Sequence, residues 1–217
     1  MEIINDLTKT CKFCESLGYL KDGTLCSCRI KLYDYVRYHE SNIPKIYWDV
    51  SYKSFMTTNK QNNLFLQKLL AYPEKQLDKL NLGFFGSSQT GKSTTAAIIA
   101  KKFIDKSLLS IYWFNYSTLL YSLRRKFNDS AVDLMLDDAL KADLVIIDDL
   151  GRDYALGKLF AKSEITRIFQ EIFESRRSVI ITSNFFVTDL EESFDIKFNS
   201  LISSNLRMID FKMKEVT

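Results

Sequence analysis

One stretch limits the folds open to this chain more than any other, FFGSSQTGKSTTAAIIA from Phe84 to Ala100. A glycine-rich turn lies there between an apolar run and a segment whose apolar residues have helical spacing. Residues Gly86 to Ser93 match the pattern G-x4-G-K-[S/T], which binds phosphate groups when a strand precedes it and a helix follows it. The alternative is a plain glycine turn, but the predicted strand and helix favour a phosphate-binding loop.

Each residue type in this loop has a chemical role toward a bound nucleotide. The backbone N–H groups and the N-terminus of the following helix would surround the phosphates. Lys92 would reach the β- and γ-phosphates, and the Ser93 hydroxyl would ligate Mg²⁺. The predicted nucleotide-binding residues of the loop are Gly86, Ser87, Ser88, Gln89, Thr90, Gly91, Lys92, Ser93 and Thr94. The loop therefore predicts a nucleoside triphosphate and Mg²⁺ as ligands.

Short apolar runs alternate with helical stretches from residue 81 onward. The runs NLGFF, LLSIYWF, DLVIID, SVIITS and LRMIDF are rich in β-branched and aromatic residues and are predicted to be strands. Ala96, Ile99, Ala100 and Phe103 mark one face of the helix after the loop, and SEITRIFQEIFESRR has a second helical period. This alternation predicts an α/β fold with a mainly parallel sheet covered by helices on both faces.

Polar groups follow two of the predicted buried strands, where the ligands of open α/β sheets bind. LVIIDDLG ends with Asp148, which suits a contact to Mg²⁺, and Asp149, which would polarise the attacking water. VIITSN ends with Asn184, whose amide would orient that water near the γ-phosphate. The alternative for the acidic pair is a helix cap, which the upstream loop makes the less favoured interpretation. Together these residues predict ATP hydrolysis.

All the cysteines of the chain lie in one short segment, CKFCESLGYLKDGTLCSC. They form a C-x2-C pair and a C-x-C pair, and their positions are Cys11, Cys14, Cys26 and Cys28. A tight reversal at Gly18 and Gly23 would bring the pairs together, so that four thiolates could hold a tetrahedral zinc ion. The alternatives are disulfides, which the lack of a secretion signal disfavours, or unrelated buried thiols. A zinc site explains both the number and the clustering.

Composition and the position of Pro44 indicate the domain organisation. A chain of 217 residues with 46% hydrophobic residues can bury one main core and a small appendage. Its net charge of +3 is too small to indicate nucleic-acid binding through bulk electrostatics, and no signal peptide or 18-residue apolar run occurs, which predicts a cytoplasmic protein. Pro44 is predicted to break the chain after a connecting helix. We predict a zinc-binding module at 1–40, a linker or strap at 41–62, and an ATPase domain at 63–217.

The order of these motifs resembles that of a known family. The phosphate loop, IDDLG and TSN, together with the N-terminal cysteines and SNIPKIYWD, resemble the bacterial and phage replicative helicase loaders of the DnaC and DnaI type, which are AAA+ ATPases. The resemblance covers nearly the whole chain, and transposition helpers of the IstB type share its ATPase part. It implies an AAA+ fold without a helical lid. It also implies that Asn184 is the sensor residue and that Asp149 stands where many AAA+ proteins have glutamate.

The resemblance also implies a function and a set of partners. The zinc module would bind the hexameric replicative helicase, with Tyr19, Leu20, Tyr33 and Tyr35 as apolar anchors. The ATPase domains would associate side by side, with single-stranded DNA as a further partner. ATP would act as a switch more than as a fuel, with slow, partner-stimulated turnover.

One catalytic residue departs from the family pattern. The loaders have an arginine near the C-terminus that reaches the ATP of the neighbouring subunit. In this chain Asn205 occupies its expected position, and Arg207 follows two residues later. Arg207 is therefore the candidate arginine finger.

Three other functions remain open. A transposition helper would have the same ATPase domain but bind duplex DNA, and the cysteine module argues against it. A small-molecule phosphoryl transferase would need an acceptor pocket and an arginine-rich closing segment, neither of which is evident. A zinc-based adaptor or inhibitor would bind the helicase and keep nucleotide as a structural element. The basic and aromatic stretch at 121–127 fits a DNA contact or, as the more favoured interpretation, a solvated helix face.

Overall fold

Two units make up the chain, residues 1–49 and 50–217. The computed structural model describes residues 11–15, 17–53, 60–71, 80–106, 109–125, 137–151, 159–175, 177–189 and 194–211. Among these described residues, no helix has the length and apolar character needed to cross a membrane.

The first unit begins with a short hairpin that carries the cysteines. Tyr19 and Leu25 pair in antiparallel fashion across it. Gly18 and Gly23 have φ angles of +79° and +82°, in the left-handed region that glycine adopts without a steric penalty. The tight reversal predicted between the two cysteine pairs is therefore confirmed.

One long helix follows the hairpin in the first unit. Helix α1 spans Ser27–Glu40 and begins directly after Cys26. A single 3-10 turn, Lys45–Tyr47, follows Pro44, so the predicted break at the proline is confirmed. His39 is exposed on α1, as expected for a surface residue of a connecting helix.

Aromatic rings form the core of the first unit. Tyr35 and Tyr38 are the buried residues of α1, and the ring centroids of Tyr35 and Trp48 lie 5.0 Å apart. The Tyr35 hydroxyl donates a hydrogen bond of 2.6 Å to Asp49 Oδ1. Packing on α1 thus continues to Asp49, and the predicted module boundaries at residues 40 and 62 stay a proposal. The prediction of Tyr35 as an exposed anchor is wrong, because this packing leaves only 5% of the residue exposed.

A five-stranded sheet is the centre of the second unit. The strands are β1 Asn81–Phe85, β2 Ile111–Asn115, β3 Leu144–Leu150, β4 Ser178–Ser183 and β5 Arg207–Asp210. Their order across the sheet is β2-β3-β4-β1-β5, and every neighbouring pair is parallel. Each strand overlaps one of the five predicted apolar runs, and β2 and β3 extend beyond theirs by one and two residues. Within the described residues, which end at Phe211, no helical lid follows β5.

Helices connect the strands and cover the sheet. They are α2 Lys60–Leu70, α3 Lys92–Lys106, α4 Tyr116–Arg125, α5 Leu159–Glu174 and α6 Ile196–Asn205, with a 3-10 turn at Val187–Asp189. The predicted face of α3 is confirmed, since Ala96, Ile99, Ala100 and Phe103 are all buried. The second predicted helical segment corresponds to α5.

Both faces of the sheet are buried. Val145 and Ile147 of β3 belong to a core cluster with residues of α4, α5 and α6. Ile146 points to the opposite face and is also fully buried, and α3 packs against β3 and β4. Strands buried on both faces have near-continuous apolar sequences, as the runs here do. The carboxyl ends of these parallel strands meet at one edge of the sheet, where the phosphate loop, Asp148, Asp149 and Asn184 lie.

Candidate nucleotide site and metal site

The phosphate-binding motif forms the turn between β1 and α3, as its sequence predicts. Gly86 and Gly91 have φ angles of +124° and +91°. A Cβ atom on Gly86 would lie 2.3 Å from the backbone oxygen of Phe211, so a larger residue does not fit there. The Thr95 N–H donates a hydrogen bond of 2.8 Å to Gly91 O, which continues the helical ladder of α3 back into the loop.

The remaining residues of the loop differ in their exposure. Ser88 and Gln89 are exposed at the tip of the turn, and Gln89 has a φ angle of +62°. Thr90 is buried and its hydroxyl donates a hydrogen bond of 2.9 Å to Ser87 O. Thr94 lies half-buried in the first turn of α3. The nucleotide-binding role of these residues stays a prediction.

Lys92 extends along the inside of the loop. Its residue is 5% exposed, and Nζ donates hydrogen bonds of 2.8 Å to Gly86 O and 2.6 Å to Ser87 O. Burial lowers the pKa of Lys92 to about 8, while the nearby charges of Asp149 and Asp148 act in the opposite direction. An ammonium group held by loop carbonyls can exchange them for phosphate oxygens.

The two residues predicted to bind Mg²⁺ are in contact. Asp148 lies near the carboxyl end of β3 and is 6% exposed. Its carboxylate accepts hydrogen bonds from the Thr182 hydroxyl, at 2.6 Å, and from Ser93. Burial raises the pKa of Asp148 above its ordinary value, although these two hydrogen bonds act in the opposite direction. A buried carboxylate beside a hydroxyl is an oxygen donor set that fits a hard cation such as Mg²⁺.

The predicted water-activating residues also lie together. Asp149 has a φ angle of +60° and is half-buried. Asn184 Nδ2 lies 3.5 Å from Asp149 Oδ1, at the outer limit of a hydrogen bond. The structure thus brings the acidic pair and the amide to one edge of the sheet, but their catalytic roles stay predictions.

Arg207 lies apart from this group. It is exposed at the start of β5 and pairs with Leu82 near the start of β1, whereas the phosphate loop leaves the other end of β1. Asn205, which the resemblance predicted to stand at the arginine position, ends α6 and donates a hydrogen bond of 2.9 Å to Leu201 O. A role of Arg207 across a subunit interface therefore stays a prediction.

The predicted DNA-contacting stretch at 121–127 is described only in part. Residues 121–125 belong to α4, and Tyr121 is 57% exposed. Residues 126–127 lie outside the described residues. The DNA contact of this stretch stays a prediction.

The cysteine sulfur atoms form a compact group in the first unit. Sγ of Cys11 lies 3.7 Å from Sγ of Cys26, and Sγ of Cys14 lies 3.5 Å from Sγ of Cys28. All four sulfur atoms lie within 4.8 Å of one another. Four ligands at the usual Zn–S length of ~2.3 Å would be separated by about 3.8 Å at the corners of a tetrahedron. The predicted ligand set therefore fits zinc in both chemistry and spacing.

The electrostatics of this group also favour a cation. Backbone N–H groups of Phe13 and Cys14 lower the pKa of Cys11 to about 6. Burial and hydrogen bonds with the other thiols raise the pKa of Cys28 to about 12. The Gly18 N–H points at Cys14 Sγ over 3.3 Å, as backbone donors do toward thiolates. A divalent cation would compensate the repulsion that opposes the deprotonation of all four thiols.

Sequence reasoning missed one side chain at the nucleotide site. TSN was interpreted only through its asparagine, yet Thr182 contacts both aspartates. Its hydroxyl donates to Asp148 and accepts a hydrogen bond of 3.0 Å from the Asp149 N–H. A hydroxyl residue next to the carboxyl end of a buried strand was the available signal.

Comparisons with known proteins agree with this architecture. A family model described as IstB-like ATP binding protein matches residues 45–204. No curated protein sequence matches the chain.

Three solved structures are similar over most of the chain. The DnaC helicase loader has a TM-score of 0.66 and 20% identity, and the match covers 78% of this chain and 100% of that one. DnaI has a TM-score of 0.65 and 19% identity, and the match covers 78% of this chain and 95% of that one. Domain III of DnaA from Thermotoga maritima has a TM-score of 0.64 and 17% identity, and the match covers 78% of this chain and 68% of that one. At these identities the likeness establishes the fold, which is an AAA+ parallel sheet flanked by helices.

Proposed function

The chain belongs to the IstB-like ATP-binding protein family, and from this membership we propose that it is an ATP-dependent loader of the replicative DNA helicase. One observation carries the proposal. A single chain combines the fold of the DnaC helicase loader with a separate four-cysteine unit that is suited to binding zinc and a protein partner. A nucleotide switch and a docking module are the two parts that a loader needs.

The nucleotide site supports ATP hydrolysis with defined roles. Lys92 would bind the β- and γ-phosphates, and Ser93 and Asp148 would hold Mg²⁺, which would supply positive charge at the phosphates. Asp149 polarises the attacking water, and Asn184 orients it. Turnover in the isolated protein would be slow, because the proposed arginine finger comes from a neighbouring subunit.

Partner binding would stimulate this site by completing it. In the proposed assembly, ATPase domains associate side by side and Arg207 of one subunit contacts the ATP of its neighbour. ATP binding would favour this association, and hydrolysis would release it. Single-stranded DNA is the proposed ligand of the assembled ATPase domains.

The first unit would bind the helicase through exposed apolar side chains. Tyr19, Leu20 and Tyr33 are 47%, 38% and 47% exposed, and Phe13 and Leu17 in the same unit are 81% and 72% exposed. Tyrosine is enriched among the residues that supply most of the binding free energy in protein interfaces, and phenylalanine is enriched in interface cores. Zinc would hold the unit that presents them, since so few residues bury little apolar surface of their own.

Capture experiments with purified replicative helicase test the proposal. Residues 1–49 with zinc should bind the helicase without nucleotide, whereas residues 50–217 should bind ATP and fail to capture it. The first fragment ends at 49 because Trp48 and Asp49 pack on α1. In the full chain, replacing Phe13 and Leu17 by aspartate should abolish capture. The matched control is Ile196→Asp, at a residue of the second unit that is 89% exposed, and it should not affect capture.

Other outcomes would assign a different function. Capture by the ATPase fragment alone would contradict the division of labour. No capture by either fragment, with duplex DNA bound instead, would favour a transposition helper. Capture with ATP bound but never hydrolysed, even with helicase and DNA present, would favour an adaptor or inhibitor.

A further inference from the structure

We propose that Thr182 is a positioning residue of the nucleotide site. Its hydroxyl holds the two consecutive aspartates of β3 in the one arrangement that serves both metal binding and water activation. This inference rests on the ATPase function proposed above, and it assigns a role to a residue that contacts neither nucleotide nor metal in that mechanism.

The argument begins with the register of two neighbouring strands. The ladder between β3 and β4 is regular up to the pair Ile147 and Ile181, and it resumes at the pair Leu150 and Ser183. Between these pairs β3 has two residues and β4 has one, which is the definition of a β-bulge. The two residues are the adjacent aspartates, and the single residue opposite them is Thr182.

The bulge solves a geometric problem of the acidic pair. Successive side chains of a regular strand point to opposite faces of the sheet. A regular β3 would therefore direct Asp148 and Asp149 to different faces, and only one of them could serve the site. The extra residue interrupts this alternation, so that Asp148 reaches Ser93 while Asp149 approaches Asn184.

The Thr182 hydroxyl connects both aspartates. The Asp149 N–H donates to Oγ1 at 3.0 Å, and Oγ1–H donates to Asp148 Oδ1 at 2.6 Å. A hydroxyl has one hydrogen and two lone pairs, so a single orientation satisfies both contacts. A bulge also removes a backbone N–H from the ladder, and a buried N–H needs another acceptor. Thr182 provides that acceptor from its side chain.

The backbone conformation of Asp149 indicates that the hydrogen bonds of Thr182 are needed to maintain it. Its φ angle of +60° lies in the left-handed region that residues other than glycine seldom adopt. Such a conformation persists when the surroundings over-determine it. Thr182 is fully buried, so water does not compete for its hydrogen bonds.

The neighbouring residue offers a matched control. Ser183 is also fully buried, and its hydroxyl donates a hydrogen bond of 2.8 Å to Leu150 O. It thus supports the residue that follows the bulge, and among the described residues it forms no hydrogen bond with either aspartate. Ser183→Ala therefore measures what the loss of a buried hydroxyl costs at this sheet edge when both carboxylates keep their partners.

The test compares full-length variants by their steady-state kinetics and their Mg²⁺ dependence. Thr182→Val keeps the side-chain shape and removes the hydroxyl. We expect its kcat to fall at least about tenfold, as for the loss of an aligned catalytic group, and its half-activating Mg²⁺ concentration to rise at least about fivefold. ATP binding measured without Mg²⁺ should stay within about twofold. Thr182→Ser restores the hydroxyl and should stay within about threefold of the unsubstituted protein in both parameters.

Three results would overturn the proposal. They are an unchanged Mg²⁺ dependence in Thr182→Val, failure of Thr182→Ser to rescue, or the same kinetic loss in Ser183→Ala. If Thr182→Val does not fold, Thr182→Ala removes the same hydroxyl with less crowding and takes its place. If the unsubstituted protein does not hydrolyse ATP, the proposed enzymatic function fails. The Mg²⁺ dependence of ATP binding then still decides the role of Thr182.

Discussion

Replacing Gly86 by alanine tests the link between the phosphate loop and the end of the sheet. Three backbone segments meet at this residue. The Gly86 N–H donates to Phe185 O at 2.8 Å, and the Phe211 N–H donates to Phe85 O at 2.7 Å. A Cβ atom on Gly86 would lie 2.3 Å from Phe211 O and 3.2 Å from its carbonyl carbon. These are backbone atoms, so no side-chain rotation can relieve the overlap.

The expected loss of stability follows from two separate costs. Alanine at a φ angle of +124° is strained by about 1–3 kcal/mol. Overpacking against fixed neighbours adds about 1–3 kcal/mol. The middle of these ranges gives about 4 kcal/mol for Gly86→Ala. In a unit of this size each kcal/mol lowers Tm by about 2–4 °C, so we expect a decrease of about 8–16 °C.

Calorimetry of the full chain and an ATP-binding titration measure this effect. ATP affinity should fall at least about tenfold, since Gly86 determines the path of the loop toward the phosphates. Gly23→Ala is the matched control, because Gly23 has a φ angle of +82° and no atom within 4 Å of an added Cβ. It should show the conformational cost alone and unchanged ATP affinity. The reasoning fails if Gly86→Ala melts within about 2 °C of the unsubstituted protein and binds ATP equally well.

Three further predictions address the metal and the catalytic residues. We expect one zinc ion per chain. The variant Cys26→Ser should release it and unfold mainly the first unit, which elemental analysis and circular dichroism would detect. Protein that is purified without chelator and contains no metal would contradict this prediction. Lys92→Ala should abolish ATP binding, whereas Asp149→Asn should bind ATP and hydrolyse it at least about tenfold more slowly. Equal loss of binding in both variants would refute these roles. Mixing Arg207→Ala with Lys92→Ala protein should restore some ATPase activity, because the first variant supplies an intact loop and the second an intact arginine finger. Confirmed mixed oligomers without activity would refute the assignment of Arg207 as the arginine finger.

The central strands of the sheet were predictable from the sequence because they are buried on both faces. The burial that makes SVIITS a central strand also makes it a continuous apolar run, and β4 spans these six residues. Strand ends were less predictable. LLSIYWF suggests a strand from Leu108, whereas β2 begins at Ile111. The two leucines and the serine that precede β2 resemble the residues of β2 in their local pattern, so the sequence does not mark where the strand pairing begins.

The exposure of Tyr35 was not predictable from its neighbours in the sequence. Tyr33 and Tyr35 lie in the same aromatic and basic segment, yet 47% of Tyr33 and 5% of Tyr35 is exposed. The difference depends on Trp48 and Asp49, which pack on Tyr35 from beyond the break at Pro44. Contacts made across such a break are a property of the tertiary structure. The prediction of Tyr35 as an anchor therefore failed, while Tyr33 keeps the exposure that a contact surface requires.

The acidic pair shows how far local pattern alone can lead. The sequence placed Asp148 and Asp149 at the end of a buried strand, and the structure has them near the end of β3. Yet two adjacent carboxylates that serve one site contradict the alternation of a regular strand. The pair in LVIIDDLG therefore already required an irregular strand with a polar partner in the neighbouring one. Thr182 meets that requirement, but its pairing with residues more than 30 positions away depends on strand order and register, which no local period contains.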